Sequence, residues 1–151
     1  MAAGVAFADH CTAGFTFTLT MSSISPTSIG RDQARELVDT FAMGWSRANI
    51  DSILSAFSAD AVFIETPFSE PLRGTEAIRK YWSDVPYHQA EITVTTGEIY
   101  TAGPWFATEF KAVFRRRRTG EWVEARGALF CESAEGRISE MRMYWHRRGE
   151  S

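Results

Sequence analysis

Three side chains have the types and positions that proton transfer and charge stabilisation require. Glu65 closes the run Ala61-Val62-Phe63-Ile64-Glu65, a β-branched and aromatic stretch entered from Asp60 and stopped by Thr66-Pro67. A carboxylate that ends a strand is either a solvated rim group or, where aromatic neighbours desolvate it, a proton acceptor. Arg126 lies in a later strand-like run, where its guanidinium can pair with Glu65 or Glu124 or hold an anionic or carbonyl group of a ligand. His146 ends the last such run. Strand parity sets it opposite Trp145, which reads as an exposed or interface histidine, and a bulge would turn it into a catalytic position. No spacing of His, Cys, Asp or Glu matches a metal site, and no cofactor is expected.

The elements that must position these groups can be traced by periodicity. Ala34, Leu37, Val38, Phe41, Trp45 and Ala48 recur at intervals of three and four, the face of a long amphipathic helix. Asn49 breaks it. Ile50, Ile53, Leu54 and Phe57 continue the pattern on a short second helix that Asp51 helps to start. After the Glu65 strand, two prolines keep residues 67–74 irregular. Thr75 then caps a third helix bearing Ile78, Tyr81 and Trp82, which ends at Asp84 to Pro86 and leaves His88 in a loop. From Gln89 the period changes to two. Four strand-like runs follow, Ile92 to Tyr100, Trp105 to Phe114, Trp122 to Glu132 and Arg137 to His146, separated by Gly103-Pro104, Thr119-Gly120 and Glu135-Gly136. Helices followed by a meander make an α+β plan, helices packed on one face of a curved sheet. By parity Phe106, Phe110, Ala112 and Phe114 share a face, as do Met141, Met143 and Trp145.

The bulk properties narrow the partners. The 151 residues suit one domain, with 44% hydrophobic, 23% charged and 13% aromatic residues, and five Trp and eleven Phe ask for a large buried space. A formal charge of −3 offers no global attraction to nucleic acid or to an anionic membrane. The basic run Arg115-Arg116-Arg117-Arg118 abuts a turn and reads as a solvated hairpin end. No apolar stretch has membrane-spanning length. Cys11 and Cys131 lie in unlike contexts, so no disulfide is expected. Residues 1–29 read as a flexible extension that makes a poor secretion signal, with 30–148 as the folded domain and the cytoplasm as the default compartment.

The segment Ala56-Phe57-Ser58-Ala59-Asp60-Ala61-Val62-Phe63-Ile64-Glu65, followed by Ser69-Glu70-Pro71-Leu72-Arg73-Gly74-Thr75-Glu76-Ala77-Ile78, closely resembles bacterial ketosteroid isomerases. The likeness in element order runs from about Arg31 to Trp145. Met143-Tyr144-Trp145-His146 is similar to the SnoaL-like members of the same nuclear transport factor 2-like superfamily. The resemblance implies a conical fold with three N-terminal helices on a strongly curved, mainly antiparallel sheet. It also implies that Glu65 stands where the isomerases keep a general base. The family's two oxyanion donors fall at Phe41 and Ala128, which cannot donate, so steroid isomerisation by the family mechanism is disfavoured. Arg126, on the same face as Ala128 in this alignment, is the substitute. The limonene epoxide hydrolases share the fold, and an aspartate of theirs falls at His146; Glu109 and Lys111 do not reproduce the rest of their arrangement.

These readings converge on a cavity walled by Phe41, Trp45, Tyr81, Trp82, Phe110, Phe114, Ala128, Met143 and Trp145, taking a small apolar or cyclic organic ligand. Glu65, Arg126 and His146 are the catalytic candidates for isomerase, cyclase, lyase or hydrolase chemistry. The alternative is a binding or dimerisation domain without chemistry, its cone sealed by side chains such as Trp145 and Trp122. A homodimer is expected through an outer sheet face carrying Val123, Ala125, Leu129 and Cys131.

Overall fold

The computed structural model describes residues 27–148. Helix α1 (Arg31–Ser46) buries Ala34, Leu37, Val38, Phe41 and Trp45, the stripe its period predicts. Its Gly44 lets the next helix cross closely: a Cβ there would stand 2.7 Å from Ile53 Cγ1. Asn49 caps helix α2 (Ile50–Ser55) by accepting the Ser52 N–H at 3.1 Å. Phe57, expected on α2, instead opens strand β1 (Phe57–Ile64) and is buried there. Helix α3 (Thr75–His88) outruns its expected end and carries Pro86 in its last turn, so His88 is helical rather than in a loop. Pro86 forfeits the backbone bond to Trp82 and crowds that carbonyl, so the disturbance is confined to the last turn of the helix. Thr75 does not cap α3; its hydroxyl donates to the Ala59 carbonyl at 3.0 Å, and Gly74 takes the positive φ of 84° that precedes the helix.

A seven-stranded sheet forms the other layer, in the order β2-β1-β7-β6-β5-β3, with β4 on β5. Its remaining strands are β2 (Leu72–Arg73), β3 (Gln89–Thr96), β4 (Tyr100–Ala102), β5 (Trp105–Arg116), β6 (Trp122–Ala134) and β7 (Arg137–Arg147). Pairing is antiparallel except between β1 and β7. The expected run from Ile92 to Tyr100 is split after Thr96, and both pieces, β3 and β4, pair with β5. The helices pack on one side of this open, curled sheet, which is the expected α+β architecture. The core joins α1, α2 and α3 to the inward face of β1, β5, β6 and β7. Ile29 belongs to it: the side chain is buried and its N–H donates to the Gly103 carbonyl at 3.0 Å, so the packed body begins before residue 30. The rest of the expected extension, residues 1–26, lies outside the described residues, Cys11 included.

Strand parity decides what faces the helices. On β5 the inward row is Phe106, Thr108, Phe110 and Ala112, and on β7 it includes Met141 and Met143, as alternation predicts. On β6 the inward row is Val123, Ala125, Leu129 and Cys131, all buried, while Arg126 is exposed and shares the outer face with Ala128. This reverses the expectation for that strand. A one-residue slip in a strand exchanges its two faces entirely, and the alignment with the isomerases introduced such a slip. The apolar patch expected to drive dimerisation through Val123, Ala125, Leu129 and Cys131 is therefore interior.

Candidate active site

Between α3 and the inward faces of β5, β6 and β7 lies a cavity of about 170 Å³. That is close to the size of an engineered apolar cavity that admits one benzene ring, roughly 150 Å³. Trp45, Tyr81, Trp82, Val85, Phe110, Phe114, Met143 and Trp145 supply most of its wall. Each is delivered by its element's period: Trp45 by the buried stripe of α1, Tyr81, Trp82 and Val85 by one side of α3, and the others by alternation along β5 and β7. The aromatic rings lock one another, with Trp82 edge-on to Phe41 and to Tyr81, both at 5.3 Å between centroids.

Glu65 lines this cavity immediately after β1. Its backbone is fixed from the sheet side, where the Trp145 indole N–H donates to the Glu65 carbonyl at 3.1 Å. Its side chain faces Tyr81. Burial pushes the Tyr81 phenol well above its ordinary range, and the neighbouring Glu65 carboxylate pushes the same way. Tyr81 is consequently a neutral hydrogen-bond donor throughout the physiological range. A carboxylate and a phenol O–H thus sit side by side in an apolar wall, one able to accept a proton and the other to stabilise negative charge.

The other indoles serve differently. Trp45 Nε1 donates to Gln89 Oε1 at 3.1 Å, which fixes the start of β3 against α1. Trp82 Nε1 is buried with no hydrogen-bond partner, packed among the rings of Phe41, Trp45, Phe63 and Tyr81. Trp122 is more than half exposed and closes nothing.

Of the expected site residues, Glu65, Trp45, Tyr81, Trp82, Phe110, Phe114, Met143 and Trp145 converge. Four do not. Phe41 is fully buried one layer behind, against Trp45, Phe57 and Trp82, because its turn of α1 faces the core rather than the chamber. Arg126 points outward and pairs with Glu124 on its own strand, so it reaches neither Glu65 nor the cavity. Ala128 shares that outer face, and the inward neighbours Gly127 and Leu129 have no donating side chain either. His146 is exposed, in register with Arg126, since β7 carries no bulge between Met141 and Arg147 to turn it inward.

Several cavity residues escaped the sequence reading. Val123 and Ala125 line the cavity from the face of β6 opposite to the one expected. Gln89, Arg116 and Arg147 stand at one end of the cavity, where β3, β5 and β7 run out. Alternation held the signal for both arginines: Arg116 follows Phe110 and Phe114 at even steps, and Arg147 follows Met143 and Trp145. Among the described residues no group of three or more His, Cys, Asp or Glu converges as a metal site. None of the described helices is long and apolar enough to cross a membrane.

The SnoaL-like domain model matches residues 34–141, and the chain belongs to that family. Solved structures show the same fold at low identity. A Bacillus subtilis protein described as an isomerase aligns over 78% of this chain and 90% of its own, at 22% identity and a TM-score of 0.70. A Catenulispora acidiphila protein with a ketosteroid isomerase-like fold, solved with trimethylamine, aligns over 72% and 84%, at 18% identity and a TM-score of 0.66. SalBIII, an epoxide hydrolase/cyclase-like enzyme of pyran ring formation in salinomycin, aligns over 76% and 92%, at 20% identity and a TM-score of 0.68. No curated protein matches by sequence. The family is one of small-molecule binders.

Proposed function

We propose that the chain is a cofactor-independent enzyme that moves a proton on a small ring-bearing metabolite, with Glu65 as the base. The observation that supports this reading is the pairing of Glu65 with Tyr81 in the wall of an apolar cavity. In the step proposed, a C–H beside a ligand carbonyl breaks and its proton passes to Glu65. The electron pair moves onto the carbonyl oxygen, which accepts the Tyr81 O–H. Tyr81 has one proton to donate. Once Glu65 is protonated it is a poorer acceptor, so the O–H is released to the oxyanion as charge develops there. Return of the proton to another carbon completes an isomerisation; in a ligand with a second carbonyl, attack of the enolate carbon on that carbonyl carbon closes a ring, its C=O π pair moves to oxygen, and that oxygen takes the proton back from Glu65.

The reading is tested by following exchange of the α-protons of small cyclic ketones in D2O. Exchange catalysed by the native protein and lowered at least a hundredfold by Glu65→Gln supports it. Binding without exchange would move the assignment to a non-catalytic ligand carrier, the reading that the modest size of the cavity favours.

We also propose that two copies associate through the outer sheet face. Phe130 and Tyr144 stand there nearly half exposed, edge to face at 5.6 Å. Light scattering should give a dimer, and Phe130→Glu should give a folded monomer; a native monomer overturns the proposal.

A further inference from the structure

The opening of the cavity differs in character from its wall. Arg116 and Arg147 extend two inward rows, Phe110 to Phe114 on β5 and Met143 to Trp145 on β7, past the last ring. Gln89 lies between, in register with Arg116, and its side-chain oxygen accepts the Trp45 indole N–H. The four consecutive arginines at this hairpin are not equivalent. Arg115 points outward to Glu91, Arg117 Nε donates to the Pro86 carbonyl, and Arg118 lines a neighbouring depression with His88. Arg116 alone of the four lines the cavity, and its contact with Glu121 is long, 3.4 Å. Arg147 makes no ion pair with any described residue. Two guanidiniums thus stand at the opening, and of the two only Arg116 has an acidic partner among the described residues.

Building on the proposed function, we infer that the ligand is an organic anion: a ring seated among Trp82, Phe110 and Trp145, with a carboxylate held at the opening by Arg147 and Arg116. A neutral ligand would leave this constellation unused, whereas a carboxylate matches the planar fork of an arginine. The register also sets a length. Ile64 lies level with Arg142, so Glu65 is about level with Met143. Arg147 is four residues farther along β7, roughly 13 Å at the usual strand rise of about 3.3 Å per residue. An arginine side chain reaching back spans about half of that, which leaves the length of one ring and a short acid arm between the carboxylate and the atom beside Glu65.

The test uses phenylacetate and its methyl ester, the same ring with and without the charge. Both are titrated into the full chain at low salt and followed by the emission of the cavity tryptophans. The inference expects phenylacetate to bind at least tenfold tighter than the ester. Arg147→Gln should abolish that advantage, and Arg116→Gln should reduce it, while the ester's affinity and the circular dichroism stay unchanged. Equal affinities, or an advantage that survives both substitutions, overturn the anion site and leave the cavity reading standing. Failure of both probes to bind overturns the two together.

Discussion

The indole N–H of Trp145 donates to the backbone carbonyl of Glu65 across 3.1 Å, joining residues 80 positions apart. One ring therefore serves as cavity wall and as the clamp on the strand end that presents the carboxylate. β1 ends at Ile64 and the irregular segment 66–71 follows directly, so Glu65 sits where the regular ladder runs out. The Trp145 bond holds its carbonyl there.

Trp145→Phe separates the two roles, since it keeps an apolar ring and removes the donor. The Glu65 carbonyl loses a part-buried partner, at a cost of about 1 kcal/mol. We expect a small fall in melting temperature with turnover lowered more than ligand affinity, because a displaced carboxylate still borders the cavity. Equal losses in both would assign Trp145 to the wall alone.

Tyr81 gives a prediction in alkali. Burial, then the charge of Glu65, holds its proton on in the folded state, whereas in the unfolded chain it titrates near the ordinary tyrosine value of about 10. A pKa raised on folding contributes stability below the unfolded value, and that contribution is lost as pH rises toward the folded one. Stability should therefore decline above about pH 10, less steeply in Tyr81→Phe. The buried Cys131 thiol, also raised by burial, acts in the same direction from pH 9 upward, so the comparison is made in a Cys131→Ala background. In ultraviolet titration Tyr81 should ionise only as the protein unfolds.

Gly127 is the backbone condition for this arrangement. It lies opposite Trp145 in the β6–β7 ladder, and a Cβ there would stand 2.7 Å from both Trp145 Cα and Trp145 Cβ, with the Tyr144 carbonyl closer still. Two of these are backbone atoms and the third, Cβ, is fixed by the backbone, so none can yield without bending both strands. Gly127→Ala should cost about 1–3 kcal/mol and move the Trp145 ring, seen as a lower melting temperature and altered tryptophan emission. Unchanged stability would mean the strands are free to spread.

How legible this was varied strand by strand. Helix α1 was plain because its apolar residues repeat over sixteen positions with no competing period. On β5, large rings alternate with charges and mark the face. On β6 the marks conflict: Trp122 and Phe130 look like core but are exposed, while Gly127 and Ala128 have too little side chain to identify either face. The isomerase alignment then decided the parity by one residue in the wrong direction, carrying Arg126 inward and Val123 and Ala125 outward. Arg116 was hidden differently, inside a run of identical charges whose alternation matters only once the hairpin is known to continue β5. Glu65 and Tyr81 were each found, but their meeting requires the angle between α3 and the end of β1, which no local pattern encodes.

Glu65→Gln brings the base assignment to its sharpest test. The amide is nearly isosteric, and its oxygen can still accept the Tyr81 O–H, so packing should be retained and stability should change little. What is lost is the negative charge and the capacity to take a proton. Without that charge the Tyr81 pKa should drop part of the way back, still held up by burial, which was the larger cause. Turnover should fall at least a hundredfold while affinity for a neutral ring ligand holds within a few-fold. Glu65→Asp, which keeps the acid and shortens its reach by one methylene, should retain a measurable fraction of the rate. If instead Glu65→Gln abolished ligand affinity and left the rate of bound ligand intact, the carboxylate would be a recognition group, and the proton would have to pass to another residue of the cavity.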